Sequence, residues 1–186
     1  MNQASRLRNN LAFNVAFISW GMLFATLFLG YAIYRSSANV WPPMGLTKVS
    51  LIYPGISTLI VLISSFFAYE MKKSAMANNI AKSKLNLKLT ITFGLGFMIS
   101  QMVLWRSMNV MGLYVSSGIF ASILHAFTWI HAAHVFGALI FLFYVVWCLR
   151  KNNLDEREQT IILNAEKFWH FLGIIWLVMF FALFVF

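Results

Sequence analysis

The sequence predicts an all-α fold, a polytopic membrane bundle of five transmembrane helices, and three observations carry that expectation. Hydrophobic residues make up 61% of the 186-residue chain and charged residues only 10%, against roughly 25% charged in soluble domains. Five long apolar runs divide the chain, each near or above the ~20 residues that cross a bilayer by a helix with its backbone polar groups satisfied internally. The segments between them are short, and no soluble domain fits.

The first span runs approximately from Leu11 to Tyr34. It follows a basic start (Arg6, Arg8), as a signal peptide would, but it is too long for a signal core and shows no small-residue cleavage site, so it reads as a retained span. Trp41-Pro42-Pro43 then marks a turn, because proline donates no hydrogen bond and restricts its predecessor. The second span covers Leu51 to Tyr69 and the third Leu85 to Met108. Lys72, Lys73, Lys82 and Lys84 lie between them, with Asn78-Asn79 in the middle. The fourth, Gly118 to Leu149, is long enough to tilt or to project from the bilayer. Arg150 to Lys167 mixes charges and is expected to extend a helix into water before the fifth span, Phe168 to Phe186. The whole of 1–186 reads as a single membrane domain.

Charge bias orients the spans. Eleven of the fourteen Lys and Arg residues fall on the N-terminal side, while Arg35, Lys48 and Arg106 fall on the other. The positive-inside rule then predicts a cytoplasmic N-terminus and an outer C-terminus. A net charge of +9 also fits contact with anionic headgroups. Nucleic-acid binding is not expected, since that reading needs a basic face on a soluble domain. Cys148 is the only cysteine, which excludes an intrachain disulfide. It reads as a small apolar residue near a helix end.

An ionisable residue inside the membrane is costly and therefore a candidate for function. The five acids, Glu70, Asp155, Glu156, Glu158 and Glu166, all lie at span ends or in the last connection. That argues against ion-coupled transport by this chain alone. His125, His131 and His134 share the fourth span, and His170 opens the fifth. Bis-histidine haem ligation needs partners at matching depth on two helices, and the topology places His170 at a different depth from His131 and His134. Interhelical hydrogen bonding is the plainer role for these side chains. Small and hydroxyl residues, among them Ser57, Thr58, Ser64, Ser65, Gly94, Gly96 and Ser100, punctuate the second and third spans as packing and bonding positions. Trp41, Trp105, Trp147 and Trp169 fall near span ends, as an interfacial aromatic belt does.

Taken in order, these residues resemble subunit III of the haem-copper respiratory oxidases. The likeness rests on Phe17-Ile18-Ser19 with Tyr31 and Arg35, on Trp41-Pro42-Pro43 with Gly45, and on Pro54-Gly55-Ile56-Ser57-Thr58-Leu59 followed by Ser64-Ser65. It continues in Gly96-Phe97 with Gln101 and Trp105, in His131-Ala132-Ala133-His134-Val135, and in Phe168-Trp169-His170-Phe171 leading to Trp176. The chain is similar to the short, five-span bacterial type of the family, whose orientation agrees with the charge bias. The resemblance implies a non-catalytic, stabilising subunit 3 of a terminal oxidase such as cytochrome c oxidase. Haem and copper are then expected on partner subunits I and II, with none bound here. It also implies a bacterial inner-membrane location, bound phospholipid, and Ser64, Ser65, Gln101, Arg106, His131, His134, Trp169 and His170 as structural or lipid-contacting residues. The chain departs from the family where Trp20, Leu104 and Gly173 stand in place of commonly acidic residues and Ala132 in place of a glycine. A proton-uptake role through the membrane acid therefore does not carry over. An accessory subunit of a quinol oxidase or nitric oxide reductase, a haem-binding membrane cytochrome and a small transporter remain as alternatives. Associated subunits, a haem spectrum or liposome flux would separate them.

Overall fold

A computed structural model describes residues 3–38, 50–150 and 154–185, with side chains from residue 11 onward. The Trp41-Pro42-Pro43 turn, Gly45 and Lys48 lie outside the described residues. Five helices are long and apolar enough to cross a membrane, as expected. They are α1 (Gln3–Ser36), α2 (Ile52–Met76), α3 (Ile80–Val110), α4 (Ile119–Cys148) and α5 (Glu156–Phe180), the last continued by a π turn, Phe181–Val185. Contacts divide the chain into two compact units, 1–44 and 45–186.

The first unit is built on α1. Several of its described hydroxyls are satisfied within the helix: Ser19 Oγ donates to Val15 O at 2.9 Å, and Ser36 and Ser37 both donate to Ile33 O. Back-bonding of this kind gives each of these hydroxyls a partner within the helix. Arg35 lies in the last turn, where a cation complements the helix dipole.

The second unit is a four-helix ring. Helix α2 packs on α3 and α5, and α4 packs on the same two. Two tight turns set the antiparallel order. After α2, Asn78 adopts a left-handed φ of 57°, a conformation that asparagine tolerates better than most residues. Asn79 N then donates back to Ser74 O, and Asn78 N to Ala75 O, the paired bonds of a Schellman stop. The Asn79 side chain accepts from Lys82 N at 3.1 Å and caps α3. The same stop ends α3 at Gly112, φ 78°, where Leu113 N bonds Met108 O and the Leu113 side chain is fully buried.

The helices outrun the apolar runs. α2 continues through Lys72 and Lys73, and α3 begins before Lys82, so the lysines lie on helix ends and the turn itself is only Ala77 to Asn79. α5 starts twelve residues before Phe168, at a capping box in which Asp155 N donates to Glu158 Oε2. A polar helical extension of the fifth span is thus present, as the mixed charges of 150–167 suggested. Hydropathy marks only the part of a helix that faces lipid, while capping and charge pairing carry it further.

Close approach is set by Gly94. A Cβ at this position would lie 2.6 Å from Trp169 Cη2 and 2.9 Å from Leu139 Cδ2, whereas nothing stands within 4 Å of one built on Gly96. Val at 94 is therefore expected to destabilise the ring by about 1–3 kcal/mol through overpacking. Thermal unfolding in detergent should show a lowered Tm for Gly94→Val and a nearly unchanged one for Gly96→Val. Equal effects would remove the packing role of Gly94.

Candidate functional site

The inward faces of α2 to α5 carry polar side chains in four successive layers, and neutral groups fill the inner ones. Nearest the Gly112 end, Trp105 Nε1 donates to Thr128 Oγ1 at 3.0 Å, linking α3 to α4. Thr128 donates in turn to Leu124 O on its own helix. Arg106, the next residue, is exposed on α3. His125 Nδ1 donates to Ala121 O at 3.0 Å, so its proton is used on its own helix.

The second layer joins α2, α3 and α5. Ser57 Oγ and Ser100 Oγ are 2.8 Å apart, and Gln101 Nε2 donates to Ser57 Oγ at 3.2 Å. Trp176 Nε1 donates to Thr58 Oγ1 at 3.0 Å. The Trp176 ring lies edge-on to Phe97, with centroids 5.0 Å apart, and 5.6 Å from His131. His131 thus sits within an aromatic box on the inner side of α4.

Ser64 governs the third layer. It donates to Thr90 O on α3 at 3.1 Å and accepts from Trp169 Nε1 at 3.1 Å, so one hydroxyl ties α2 to both neighbours. Its neighbour Ser65 faces the space beside Gly173, where a Cβ would lie 3.2 Å from the serine oxygen. Between the second and third layers is a cavity of about 20 Å³, lined by Val61, Ser64, Gly94, Phe97, His131 and Trp169 among others.

The fourth layer, toward the Asn78 end, is ionic. Lys72 Nζ lies 2.6 Å from Glu166 Oε1, and His170 Nε2 approaches the same oxygen at 3.3 Å. Glu70 is ion-paired with Lys82 at 3.2 Å and with Lys73 at 3.6 Å. Glu166 is largely buried and Lys72 partly so, which limits the screening that weakens exposed pairs.

Ser64, Gln101, His131 and Trp169 therefore meet inside the ring, and Ser65 borders it. His170 joins the ionic layer. Arg106 stands apart on the surface, and His134 is half-buried with its Nδ1 donating to Ile130 O at 2.7 Å. Two placements differ from the sequence reading. Trp169 is 6% exposed and bonded within the bundle, so it is no belt residue. His170 stands well inside α5 and not at its start. Both follow from the early start of α5 at Glu156. Depth does separate the histidines, since His131 is level with Trp176 while Leu139, two turns on, is level with Trp169. Thr58 was marked as a bonding position and Lys72 only as a charge between spans, while Thr128 was not singled out. A usable signal was the seven-residue interval between Trp169 and Trp176, one face of a helix, answered by Thr58 and Ser64 on α2. Among the described residues no three His, Cys, Asp or Glu side chains converge as a metal site. Cys148 is buried at the end of α4.

Comparison with known proteins agrees over nearly the full length. Residues 4–186 match the family model described as cytochrome c oxidase subunit III. The cytochrome c oxidase subunit 3 of Synechocystis is 31% identical over 85% of this chain and 67% of its own length. That of Thermostichus vulcanus is 28% identical over 92% of the chain and 84% of its own. The cytochrome bo(3) ubiquinol oxidase subunit 3 of Buchnera aphidicola is 31% identical over 94% and 93%.

The Trp169–Ser64 contact yields a quantitative expectation. In a double-mutant cycle of Ser64→Ala and Trp169→Phe, the coupling should be about 0.6–1.5 kcal/mol, the range of interhelical bonds in membranes. Ser64→Ala alone should cost more, since it orphans the indole N–H and frees Thr90 O. Additive single effects, measured by equilibrium unfolding in mixed micelles, would show the bond to be unimportant.

Proposed function

Since the chain belongs to the cytochrome c oxidase subunit III family, we propose that it acts as the non-catalytic, stabilising subunit of a respiratory haem-copper terminal oxidase. It is a multi-pass helical membrane protein and a member of an oxidase complex with other subunits. The partners proposed are the catalytic subunit I, which carries haem and copper, and subunit II. The setting proposed is the bacterial inner membrane, N-terminus cytoplasmic and C-terminus outside, as the lysines at the Asn78 turn and the charged start of α5 favour.

The observation that carries a scaffold role is the chemistry of the bundle interior. Its inner layers consist of hydroxyl, amide, indole and imidazole groups engaged mostly with one another, and Glu70 and Glu166 sit in ion pairs at one end. Positions 104 and 173, commonly acidic in the family, hold a fully buried Leu and a Gly that gives Ser65 room. Such an interior holds helices together and offers no carboxylate relay across the membrane. Haem on this chain is not part of the proposal. His131 is boxed by Phe97 and Trp176, and His170 is turned to Glu166. Phospholipid is proposed in the surface grooves, with exposed Arg106 near the end of α3 as a headgroup contact.

The Buchnera relative favours one second reading, in which the complex oxidises quinol. The subunit would do the same work there, since the donor site belongs to other chains.

Purification through a tag on this chain should bring down haem-bearing catalytic subunits in stoichiometric amount, and a copper-bearing second subunit would favour cytochrome c as donor. Deleting the chain should leave the haem spectrum of the core largely intact while shortening its working lifetime. Loss of haem from an otherwise assembled core would overturn the scaffold role, and a lone chain carrying its own haem would overturn the assignment.

A further inference from the structure

The outer face of α3 carries a cation toward each of its ends. Lys88 and Arg106 are both exposed and stand eighteen residues apart, which is five full turns on one face of the helix and about 27 Å along its axis. Between them the same face presents Leu95, Ile99, Met102 and Val103, all exposed. A hydrocarbon core is about 30 Å thick, so this face is apolar over one bilayer's depth and cationic where headgroups begin.

At the Asn78 end the charge is doubled. Lys84, half-buried, precedes Lys88 by four residues and lies on the same side of α3. The Cα–Cβ bonds of a helix tilt toward its N-terminus, and long lysine stems carry their charge out of apolar surroundings. Both ammonium groups are therefore directed to the Asn78 end. Like charges four residues apart weaken a helix, and the first turn of α3 holds no acid to offset them. Glu70 is ion-paired with Lys73 and Lys82, and Glu166 with Lys72 and His170. Among the described residues, no carboxylate is ion-paired with Lys84 or Lys88.

We propose that Lys84 and Lys88 hold the phosphate of an anionic phospholipid, with an acyl chain of that lipid along Leu95 and Ile99. The lysines alone would attract any anion. The apolar strip that continues from them favours a lipid, since a free phosphate makes no use of it. Net negative charge is what the pair requires, and a zwitterionic headgroup does not bring it. The proposal rests on the lipid contact proposed at Arg106 only in extending it to the opposite leaflet and to one class of lipid.

Native mass spectrometry of the full chain in its assembly, titrated with phosphatidylglycerol, tests this. The titration runs equally on the chain alone, so its outcome does not depend on the oxidase partners. A lysine near an anionic surface contributes about fivefold, so Lys84→Gln with Lys88→Gln should weaken the tightest phosphatidylglycerol by about thirtyfold. Should that pair fail to assemble, Lys88→Gln alone should cost about fivefold. Arg157→Gln with Lys167→Gln removes two exposed charges from α5 and should leave the lipid in place. Unchanged retention in the α3 variants, or an equal loss in the α5 variant, would overturn the proposal. So would equal binding of phosphatidylcholine, or displacement of the lipid by inorganic phosphate.

Discussion

The fold rests on the requirement that every polar group in a lipid-embedded bundle find its partner inside the protein. Association of helices in lipid gains little from the hydrophobic effect, because tails are as apolar as leucine. What distinguishes one helix arrangement from another is then close packing and the fit of donors to acceptors. In this ring the two indoles of α5 supply the fit. Trp169 and Trp176 each bring a donor that needs an oxygen, and Ser64 and Thr58 supply them at matching heights on α2. A shift of α5 by one residue along its axis would leave both indoles unsatisfied. The register that satisfies them also lays the Trp169 ring over Gly94, which has no side chain to obstruct it. Hydrogen bonding and shape thus select the same alignment.

The ring also shows how one hydroxyl serves several helices. Ser64 donates to the α3 backbone and accepts from α5, and Ser57 meets both Ser100 and Gln101. A hydroxyl has one donor and two acceptor sites, so it can close a three-helix junction where a methyl group could only fill volume. Ser64 closes such a junction, whereas Ser57, about two turns earlier on α2, ties that helix to α3 alone. Glycine and serine in this helix are often read simply as small residues that permit approach. Here the serines are the fasteners, and the indoles across from them are the reason.

Much of this was legible in the residues. The five spans follow from length and apolarity, and the Asn78-Asn79 and Gly112 stops follow from which residues tolerate a left-handed backbone. Ser64, Gln101, His131 and Trp169 were marked as structural and do meet in the interior. The height of Trp169 was not legible, because hydropathy sees a helix only from its lipid-facing stretch and α5 begins twelve residues earlier, in a capping box and a run of charge. The Lys72–Glu166–His170 cluster escaped for the same cause: Lys72 is 94 residues from Glu166, and their depths depend on where α2 ends and α5 starts. Pairings between helices need a register, and a register is a property of two sequences at once.

The placement of charge suits the scaffold role proposed for this bundle. A carboxylate at the middle of the ring would need a cation beside it or would stay protonated and become a relay. This chain does neither. Of its two buried acids, Glu158 accepts from Asp155 N at the start of α5 and Glu166 sits where Lys72 and His170 reach it, while Glu70 is held between Lys73 and Lys82. Ion pairs at that end link α2 to α5 and α2 to α3. Deeper in, where a net charge is least tolerable, the chain keeps to amide, hydroxyl, indole and imidazole. The same division removes the requirement for an acid at 104 and 173, and packing takes over both positions. Leucine fills the first, and glycine leaves room for Ser65 at the second. An interior settled in this way is held by packing and neutral hydrogen bonds between helices, which is the chemistry the proposed supporting role requires.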